Sequence, residues 1–415
     1  MKAVICEESA RLCRQVYRER LRAVVLAGSL ARDEGTFVET DRGRRLLGDA
    51  ELLLVFEDGI APPPAADLAL IREQIEERLR RRGIRAEITL SAVGRGYLRR
   101  LPPSIFAYEL RASGEAVAGE AAVLGLIPKF AAADIPREDA WRMLANRLVE
   151  QLAGTDELLA ERAIISPEAH YRTVKLYLDM ATSLLVFAGA YAPTYEERAD
   201  NLARLAKWSG NTSWPFPLGP FAEHVAATTR WKLSGGSLVT EARRAFWERA
   251  IDYAEALWHW ELCRLTRVDR DAASPALMSL WMRRQPWPGR ARGWAHVVRA
   301  RGWHRSWPLW PRWLRLASQG SPRHLVYRAA STLVFELRAT AAQRRPVSDL
   351  QRLVRDLPLA AWPGQPEPKA LGAHAPDSIG ALAPDSIGAL APDSIGALAG
   401  TILANYRSFL METRA

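Results

Sequence analysis

The spacing of apolar and polar residues divides the chain into an N-terminal part with alternating strands and helices and a long helical remainder. Strand-like apolar runs occur at residues 21–29, 50–58 and 84–93. The middle run is continuously apolar, which is typical of a strand at the centre of a sheet with both faces covered. Helical spacing over residues 7–22, and again between the last two strands, predicts helices beside them. The pattern therefore predicts an α/β unit over about the first 130 residues.

Helical periodicity dominates from about residue 130 onward. A proline near the start and a glycine at the end bound the segment 136–154, as expected of helix termini. Ser166 is suited to cap the next helix, with Pro167 at its first position, and further helical segments occupy roughly 195–270. The predicted fold class is therefore α+β, with a sheet-containing N-terminal part followed by mostly α-helical domains.

One stretch of the helical part, residues 281–315, differs in composition from its surroundings. It holds seven tryptophans, nine arginines and no acidic residue. Prolines interrupt any single amphipathic stripe, so we expect packed helices with a tryptophan core and arginines outside. The other interpretation is a binding surface for single-stranded nucleic acid, for an anionic membrane or for an anionic sugar.

The chain changes character again after residue 355. Residues 356–374 are rich in proline and glycine, and the octad APDSIGAL then repeats three times over 375–398. This period is shorter than that of the usual helical solenoids, so we expect an exposed, disordered linker before a last short helix. The predicted units of the chain are 1–130, 131–275, 276–355, 356–400 and 401–415.

The composition of the chain limits which binding partners and which cellular compartment are expected. The 415 residues carry a net charge of +10, which suits an anionic partner and equally suits a solvated basic surface in a chain rich in arginine. Three cysteines without a Cys/His cluster predict no zinc site and suit a reducing cytoplasm. The N-terminal stretch is broken by charges, and the most apolar stretch is too short to cross a bilayer. We therefore expect a cytoplasmic protein.

The ends of the predicted strands carry residues suited to phosphate and metal chemistry. Gly28 and Ser29 follow the first strand, where glycine admits a ligand close to the backbone and the hydroxyl can bind a phosphate oxygen. Asp49 and Glu51 are two residues apart at the start of the next strand, so their carboxylates share a face. Two such carboxylates attract a cation, and Mg²⁺ prefers oxygen ligands together with phosphates. Glu87 adds a third carboxylate if its strand lies beside theirs.

The succession of AGS, GDAEL and AEI in these segments resembles the nucleotidyltransferase superfamily of DNA polymerase β, especially its small bacterial members and the aminoglycoside nucleotidyltransferases. The resemblance covers about residues 20–95. It implies a mixed sheet with helices on its outside and transfer of a nucleotide from an NTP, with ATP as the expected donor and pyrophosphate leaving.

The resemblance also implies roles for individual residues. Gly28 and Ser29 would bind the triphosphate. Asp49 and Glu51 would hold Mg²⁺, and Glu87 would complete the metal site or act as base. The spacer after Ser29 is longer than is usual in the superfamily, and we assign the excess to a hairpin that is expected to reach over the acceptor site. Residues 106–119 resemble the strand–turn–strand that ends this domain in bacterial members.

A line of polar residues crosses an otherwise apolar helix in the helical part. Tyr171, Lys175, Asp179 and Ser183 recur at four-residue intervals and therefore share one face. Burying a charge is costly without a partner, so one interpretation is a structural pair between Lys175 and Asp179. The other rests on the superfamily, in which a helical domain covers the nucleotide and a lysine from it often contacts the triphosphate. That role is the one implied for Lys175.

The predicted function is a nucleotidyltransferase that moves an NMP from an NTP to an acceptor hydroxyl of a small molecule or a protein by metal-assisted phosphoryl transfer. The acceptor and the oligomeric state are left open. One alternative is a catalytically inactive nucleotidyltransferase-like module with a binding or regulatory role. The other is an RNA-directed nucleotidyltransferase that uses residues 281–315.

Overall fold

The computed structural model describes residues 1–40, 43–160, 162–208, 213–234, 242–269, 271–338, 347–358 and 395–413. Its N-terminal part contains a sheet formed by β1 (Leu21–Ala27), β2 (Thr36–Thr40), β3 (Gly43–Phe56), β4 (Ile84–Gly94) and β5 (Glu115–Gly119). The helices of this part are α1 (Lys2–Tyr17), α2 (Gly28–Ala31), α3 (Ala65–Arg81), α4 (Arg95–Arg99) and α5 (Ile105–Ser113).

The long strand β3 lies at the centre of the sheet. Along one edge it pairs in parallel with β4, and along the other it pairs antiparallel first with β2 and then with β1. β1 pairs in turn with β5, also antiparallel. The sheet is therefore mixed and carries helices on its faces. Together with the helical remainder, this arrangement confirms the predicted α+β class.

Each face of the sheet has its own apolar core, because successive residues of β3 point to opposite sides. Leu52 belongs to a buried cluster formed with α1 and α3. Leu53 belongs to a second cluster, which includes Leu110 of α5. Asp49 and Glu51 have the same parity as Leu53, so the alternation directs them to the side on which α5 lies.

The rest of the described chain is almost entirely helical. Its helices are α6 (Arg137–Gln151), α7 (Thr155–Leu159), α8 (Pro167–Ala188), α9 (Tyr195–Trp208), α10 (Leu218–Leu233), α11 (Arg244–Thr266), α12 (Ser274–Arg284), α13 (Trp287–Arg301), α14 (Trp303–Ser306), α15 (Trp310–Gln319), α16 (Pro322–Arg338), α17 (Val347–Arg355) and α18 (Ile395–Thr413). Two short strands, β6 (Ile164–Ile165) and β7 (Ala242–Arg243), pair with each other.

Helix α8 begins as the sequence predicts and runs through the middle of the helical part. Ser166 caps it by accepting a hydrogen bond from the Ala169 N–H, and Pro167 is its first residue. Most of α8 from Thr173 onward is buried. One apolar cluster extends from α5 to α18 and crosses the boundary predicted near residue 275, so the division of the helical part into separate units stays a prediction.

Three predicted elements differ from the structure. Residues 106–119 do not form two strands: Ser104 caps a helix by accepting from the Ala107 N–H, and only the second arm is a strand. The first helix begins at Lys2 and ends at Tyr17 rather than spanning 7–22. The last helix begins at Ile395, inside the third octad, rather than at 401. Most of the predicted disordered linker, residues 359–394, lies outside the described residues.

Candidate active site

Gly28, at the end of β1, lies directly against the carboxylate of Glu51. Ala27 and Glu51 are paired across β1 and β3, and a Cβ atom on Gly28 would come within 2.8 Å of Glu51 Oε1. Gly28 also has a φ of 66°, in the left-handed region that favours glycine. Ser29 follows in the single turn of α2. The Gly-Ser turn is therefore adjacent to one of the predicted metal-binding carboxylates.

Asp49 is positioned by an irregularity in β3. The pairing between β3 and β4 shifts register just before Asp49, where Gly48 has a φ of 100°. After the shift, Asp49 pairs with Glu87 and Glu51 pairs with Thr89. Residues paired across parallel strands share a face of the sheet, so Asp49, Glu51 and Glu87 all belong to one face. Thr89 Oγ1 donates a hydrogen bond of 2.7 Å to Asp49 Oδ2 and fixes that carboxylate.

The chemistry of these donors suits Mg²⁺, but the three carboxylates do not form a closed metal site. Within the described ranges of the chain, no group of three or more His, Cys, Asp or Glu side chains is arranged to hold a metal ion. Mg²⁺ is commonly held by one or two carboxylates together with substrate phosphates and water, and Asp49 and Glu51 supply oxygens of that kind. Their assignment to Mg²⁺, and that of Glu87, stays a prediction.

Two lysines of the helical part approach this face of the sheet. The Nζ atoms of Lys175 (α8) and Lys232 (α10) lie 5.8 and 5.6 Å from the ring centroid of Tyr171. Lys232 is only 2% exposed. Burial, followed by repulsion from Lys175, lowers the pKa of Lys232 to about 7, while Glu34 and Asp49 act in the opposite direction. Asp49 is therefore within electrostatic reach of Lys232.

Lys232 is the residue of this region that the sequence analysis missed. It belongs to no motif, and only the helix packing brings it next to Lys175. The one available signal was the scarcity of lysine, since the chain has six lysines among its 57 Lys and Arg residues. A lysine at the penultimate position of α10 stands out against that background.

The hairpin of β2 and β3 ties the sheet to the helices that carry these lysines. Tyr171 Oη donates a hydrogen bond of 2.7 Å to the carbonyl oxygen of Leu47, immediately before Gly48. Thr36 Oγ1 donates one of 3.0 Å to the carbonyl oxygen of Lys232. The hairpin predicted from the long spacer is thus present and holds α8 and α10 beside Asp49. Its contact with an acceptor stays a prediction.

A second buried connection between the two parts of the chain centres on Glu109 of α5. Its carboxylate accepts from Arg32 Nη1 at 2.6 Å, from Tyr191 Oη at 2.6 Å and from Arg198 Nη2. Burial acts to raise the pKa of Glu109, but Arg198 and Arg32 together hold it below its ordinary value. Arg32 also donates to Glu34, which in turn accepts from the backbone N–H of Tyr195. These contacts fix α9 against α2 and α5.

The polar side chains that share one face of α8 have different partners. Asp179 accepts a hydrogen bond of 2.7 Å from Arg147 Nε of α6, and Ser183 donates one of 2.6 Å to Glu261 of α11. The interpretation of a structural pair between Lys175 and Asp179 is therefore wrong, because Arg147 supplies the cation. Lys175 remains beside Tyr171, on the side of the helix that faces the sheet.

A cleft of about 240 Å³ opens beside Gly28 and Glu51. Its other walls come from α5, through Phe106 and Leu110, and from α6, through Met143, Asn146 and the paired Asp139 and Arg142. Apolar side chains thus form much of the wall, and one edge reaches the carboxylate of Glu51. Such a mixture is usual in pockets for small organic molecules.

Comparison with known proteins finds similarity among solved structures. No family profile matches the chain, and no curated protein matches it either. Among solved structures, a crystal structure of the spectinomycin adenyltransferase AAD(9) from Enterococcus faecialis with ATP and spectinomycin is similar at a TM-score of 0.33 and 13% sequence identity. The similarity covers 61% of this chain and 98% of that one.

Proposed function

We propose that the protein is a nucleotidyltransferase that transfers an NMP from an NTP to an acceptor hydroxyl. The observation that carries the proposal is that two lysines of the helical part lie at the junction with the face of the sheet that carries Asp49 and Glu51. Asp49 and Glu51 lie on the sheet side, and Lys175 and Lys232 lie on the helical side. Neither lysine has an ion-pair partner among the described residues.

A nucleoside triphosphate with its divalent cation complements this arrangement. The phosphate chain is anionic and would attract the two ammonium groups, whereas Asp49 and Glu51 would hold Mg²⁺ through hard oxygen ligands. The ion, when bound, offsets the phosphate charge and orients the α-phosphate. Gly28, with no side chain, leaves room for a phosphate oxygen beside Glu51.

The bond changes follow from this placement. The acceptor oxygen forms a bond to the α-phosphorus, the bond between that phosphorus and the bridging oxygen of pyrophosphate breaks, and pyrophosphate leaves with the electron pair. The acceptor proton passes to a carboxylate, for which Glu87 is our candidate because it is paired with Asp49 on the same face. Positioning of the two reactants accounts for much of the acceleration in reactions of this class.

The test measures nucleotide binding and transfer separately. Full-length protein is titrated with ATP and the other NTPs by calorimetry, with and without Mg²⁺. It is then incubated with α-³²P-labelled NTP and a panel of polyhydroxy compounds and polypeptides, including the protein itself. We expect Mg²⁺-dependent NTP binding, and labelled product together with pyrophosphate for at least one acceptor.

The decisive variant is Asp49→Asn, and its matched control is Asp58→Asn, which changes an Asp beyond the other end of β3 that pairs with Arg99. Asp49→Asn should lower transfer by at least a hundredfold, because the Mg²⁺ ion that binds the NTP would lose a carboxylate ligand. The control should retain activity. Transfer at the normal rate by Asp49→Asn would contradict the catalytic assignment. Mg²⁺-dependent binding without transfer to any acceptor would favour the inactive module instead.

A further inference from the structure

The helical run from Trp303 to Gln319 presents an apolar stripe to solvent. Trp303, Trp307, Trp310 and Leu314 follow each other at intervals of three or four residues, so they share one face of the run. Trp303 is 57% exposed, Trp307 is 68% exposed and Leu314 is 64% exposed. The indole rings of Trp303 and Trp307 lie 5.3 and 6.4 Å from that of Trp310. The exposed residues therefore form one continuous patch, here called the tryptophan stripe.

The opposite face of the same run is anchored in the core, which fixes the stripe on the outside. Trp313 and Leu316 are buried in the helical cluster. Trp313 Nε1 donates to the carbonyl oxygen of Pro358, and Trp294 Nε1 of α13 donates to that of Gly320. The expectation of packed helices with a tryptophan core is thus right for Trp281, Trp294 and Trp313 and wrong for the exposed Trp287, Trp303 and Trp307. Large exposed apolar patches of this kind mark interaction surfaces.

The surroundings of the stripe are cationic. Residues 281–315 contain nine arginines and no Asp or Glu. Arg299 is exposed just before the run, and the exposed Arg315 follows Leu314 directly, with Asp356 3.4 Å from it. A partner that covers the stripe therefore meets apolar side chains in the middle and positive charge at the edges. The partner's surface must be anionic outside and apolar beneath.

An anionic lipid bilayer has that layered chemistry, and other occupants fit less well. Single-stranded nucleic acid stacks on aromatic rings, but Leu314 and the exposed Pro308 and Pro311 offer no aromatic face to a base. Indole rings favour the boundary between headgroups and acyl chains, and arginine favours the anionic headgroups. In the part of the chain that the structure describes, none of the helices has both the length and the apolar character to cross a membrane.

We propose that the tryptophan stripe binds the surface of an anionic lipid membrane, with the run Trp303–Gln319 lying flat in the interface. The run is roughly 25 Å long. Trp303, Trp307 and Leu314 enter the boundary region, and the arginines beside them contact lipid phosphates. This binding is independent of the nucleotidyl transfer proposed above, since the stripe shares no residue with that site.

The experiment is co-sedimentation of the full-length protein with vesicles. One set of vesicles is pure phosphatidylcholine, and the other contains equal parts of phosphatidylcholine and phosphatidylglycerol. We expect strong binding only to the second set, weakened by added salt. The double variant Trp303→Ala/Trp307→Ala should lower the partition coefficient at least tenfold, because two indoles leave the interface. The matched control is Trp208→Ala, which removes an indole that is 85% exposed on α9.

Each outcome decides the proposal. Loss of binding in the double variant, with retention in Trp208→Ala and unchanged circular dichroism and melting temperature in both, supports it. Absence of wild-type binding to anionic vesicles overturns it, as does an equal loss in the Trp208→Ala control. Binding of a single-stranded oligonucleotide that the double variant alone weakens, without vesicle binding, assigns the stripe to nucleic acid instead. A wild-type dimer that the double variant dissociates, again without vesicle binding, assigns it to self-association.

Discussion

Glu261 of α11 gives a prediction about stability that does not depend on function. It is completely buried, and its Oε1 atom accepts a hydrogen bond of 2.6 Å from Ser183. Its Oε2 atom has no hydrogen-bond partner among the described residues. Burial disfavours the charged carboxylate and raises the pKa of Glu261 from 4.5 to about 8, although the Ser183 hydroxyl acts in the opposite direction. The folded protein therefore holds a proton there at neutral pH.

The consequence is a loss of stability as pH rises. The unfolded chain releases this proton at about pH 4.5 and the folded chain at about pH 8. Stability from this group is therefore fully present below about pH 4.5 and is lost progressively until pH has passed about 8. At about 1.4 kcal/mol for each pH unit, the span corresponds to about 5 kcal/mol of unfolding free energy. Glu261→Gln removes the titration while keeping the size and one hydrogen bond of the protonated side chain.

The assay is chemical denaturation of both proteins between pH 5 and pH 9. The stability of Glu261→Gln relative to the wild type should increase by several kcal/mol from the acidic to the alkaline end. Glu248→Gln, which changes a partly exposed carboxylate of the same helix that pairs with Arg244, should show no comparable trend. If the curves of wild type and Glu261→Gln stay parallel over the whole range, the carboxyl is not held protonated and the reasoning is refuted.

Two further predictions concern the candidate active site. Gly28→Ala places a Cβ within 2.8 Å of Glu51 Oε1 and should lower transfer at least tenfold. The control is Gly59→Ala, where φ is 84° but no atom lies within 4 Å of the new Cβ. This variant should suffer only the backbone strain and should transfer at the normal rate. Equal rates in the two variants would contradict the role of Glu51. Lys232→Met should weaken NTP binding and abolish its strengthening as pH falls through about 7, where the wild-type amine gains its proton. Lys207→Met on α9 is the control, and a pH profile unaltered by Lys232→Met would contradict phosphate contact.

The sequence carried enough information to place the sheet side of the candidate site. Apolar runs marked β1, β3 and β4, and the alternation of side chains along a strand put Asp49 and Glu51 on one face. The pairing of Glu87 with Asp49 followed from the expected neighbourhood of β3 and β4. These features depend on residues close together in sequence or on adjacent strands, and periodicity reports such relations directly.

The helical side could not be predicted in the same way. Lys232 and Lys175 are far apart in sequence, and they meet only because α8 and α10 pack together against the hairpin. Glu109 and Arg198 are separated by 89 residues, and α5 was itself predicted as the first arm of a strand–turn–strand, from the resemblance of residues 106–119 to bacterial members of the superfamily. A helix of nine residues gives little periodicity, and its capping by Ser104 was the clearer signal. The helical side of the site therefore depends on packing between helices that are far apart in sequence, and local periodicity does not report such packing.

The two buried titratable side chains, Glu261 and Lys232, differ in what they imply about function. Both Glu261 and Lys232 are disfavoured by burial, so each lowers the stability of the folded chain at some pH. Glu261 is enclosed by the helical core and bound to Ser183, where no ligand reaches it. Lys232 instead lies beside Lys175 and within electrostatic reach of Asp49, at the junction of sheet and helices. The ammonium group of Lys175 nearby raises the free-energy cost of burying Lys232 further. An apolar side chain at position 232 would avoid that cost. An anionic ligand would offset this repulsion, and for this reason we propose that Lys232 belongs to a phosphate-binding site.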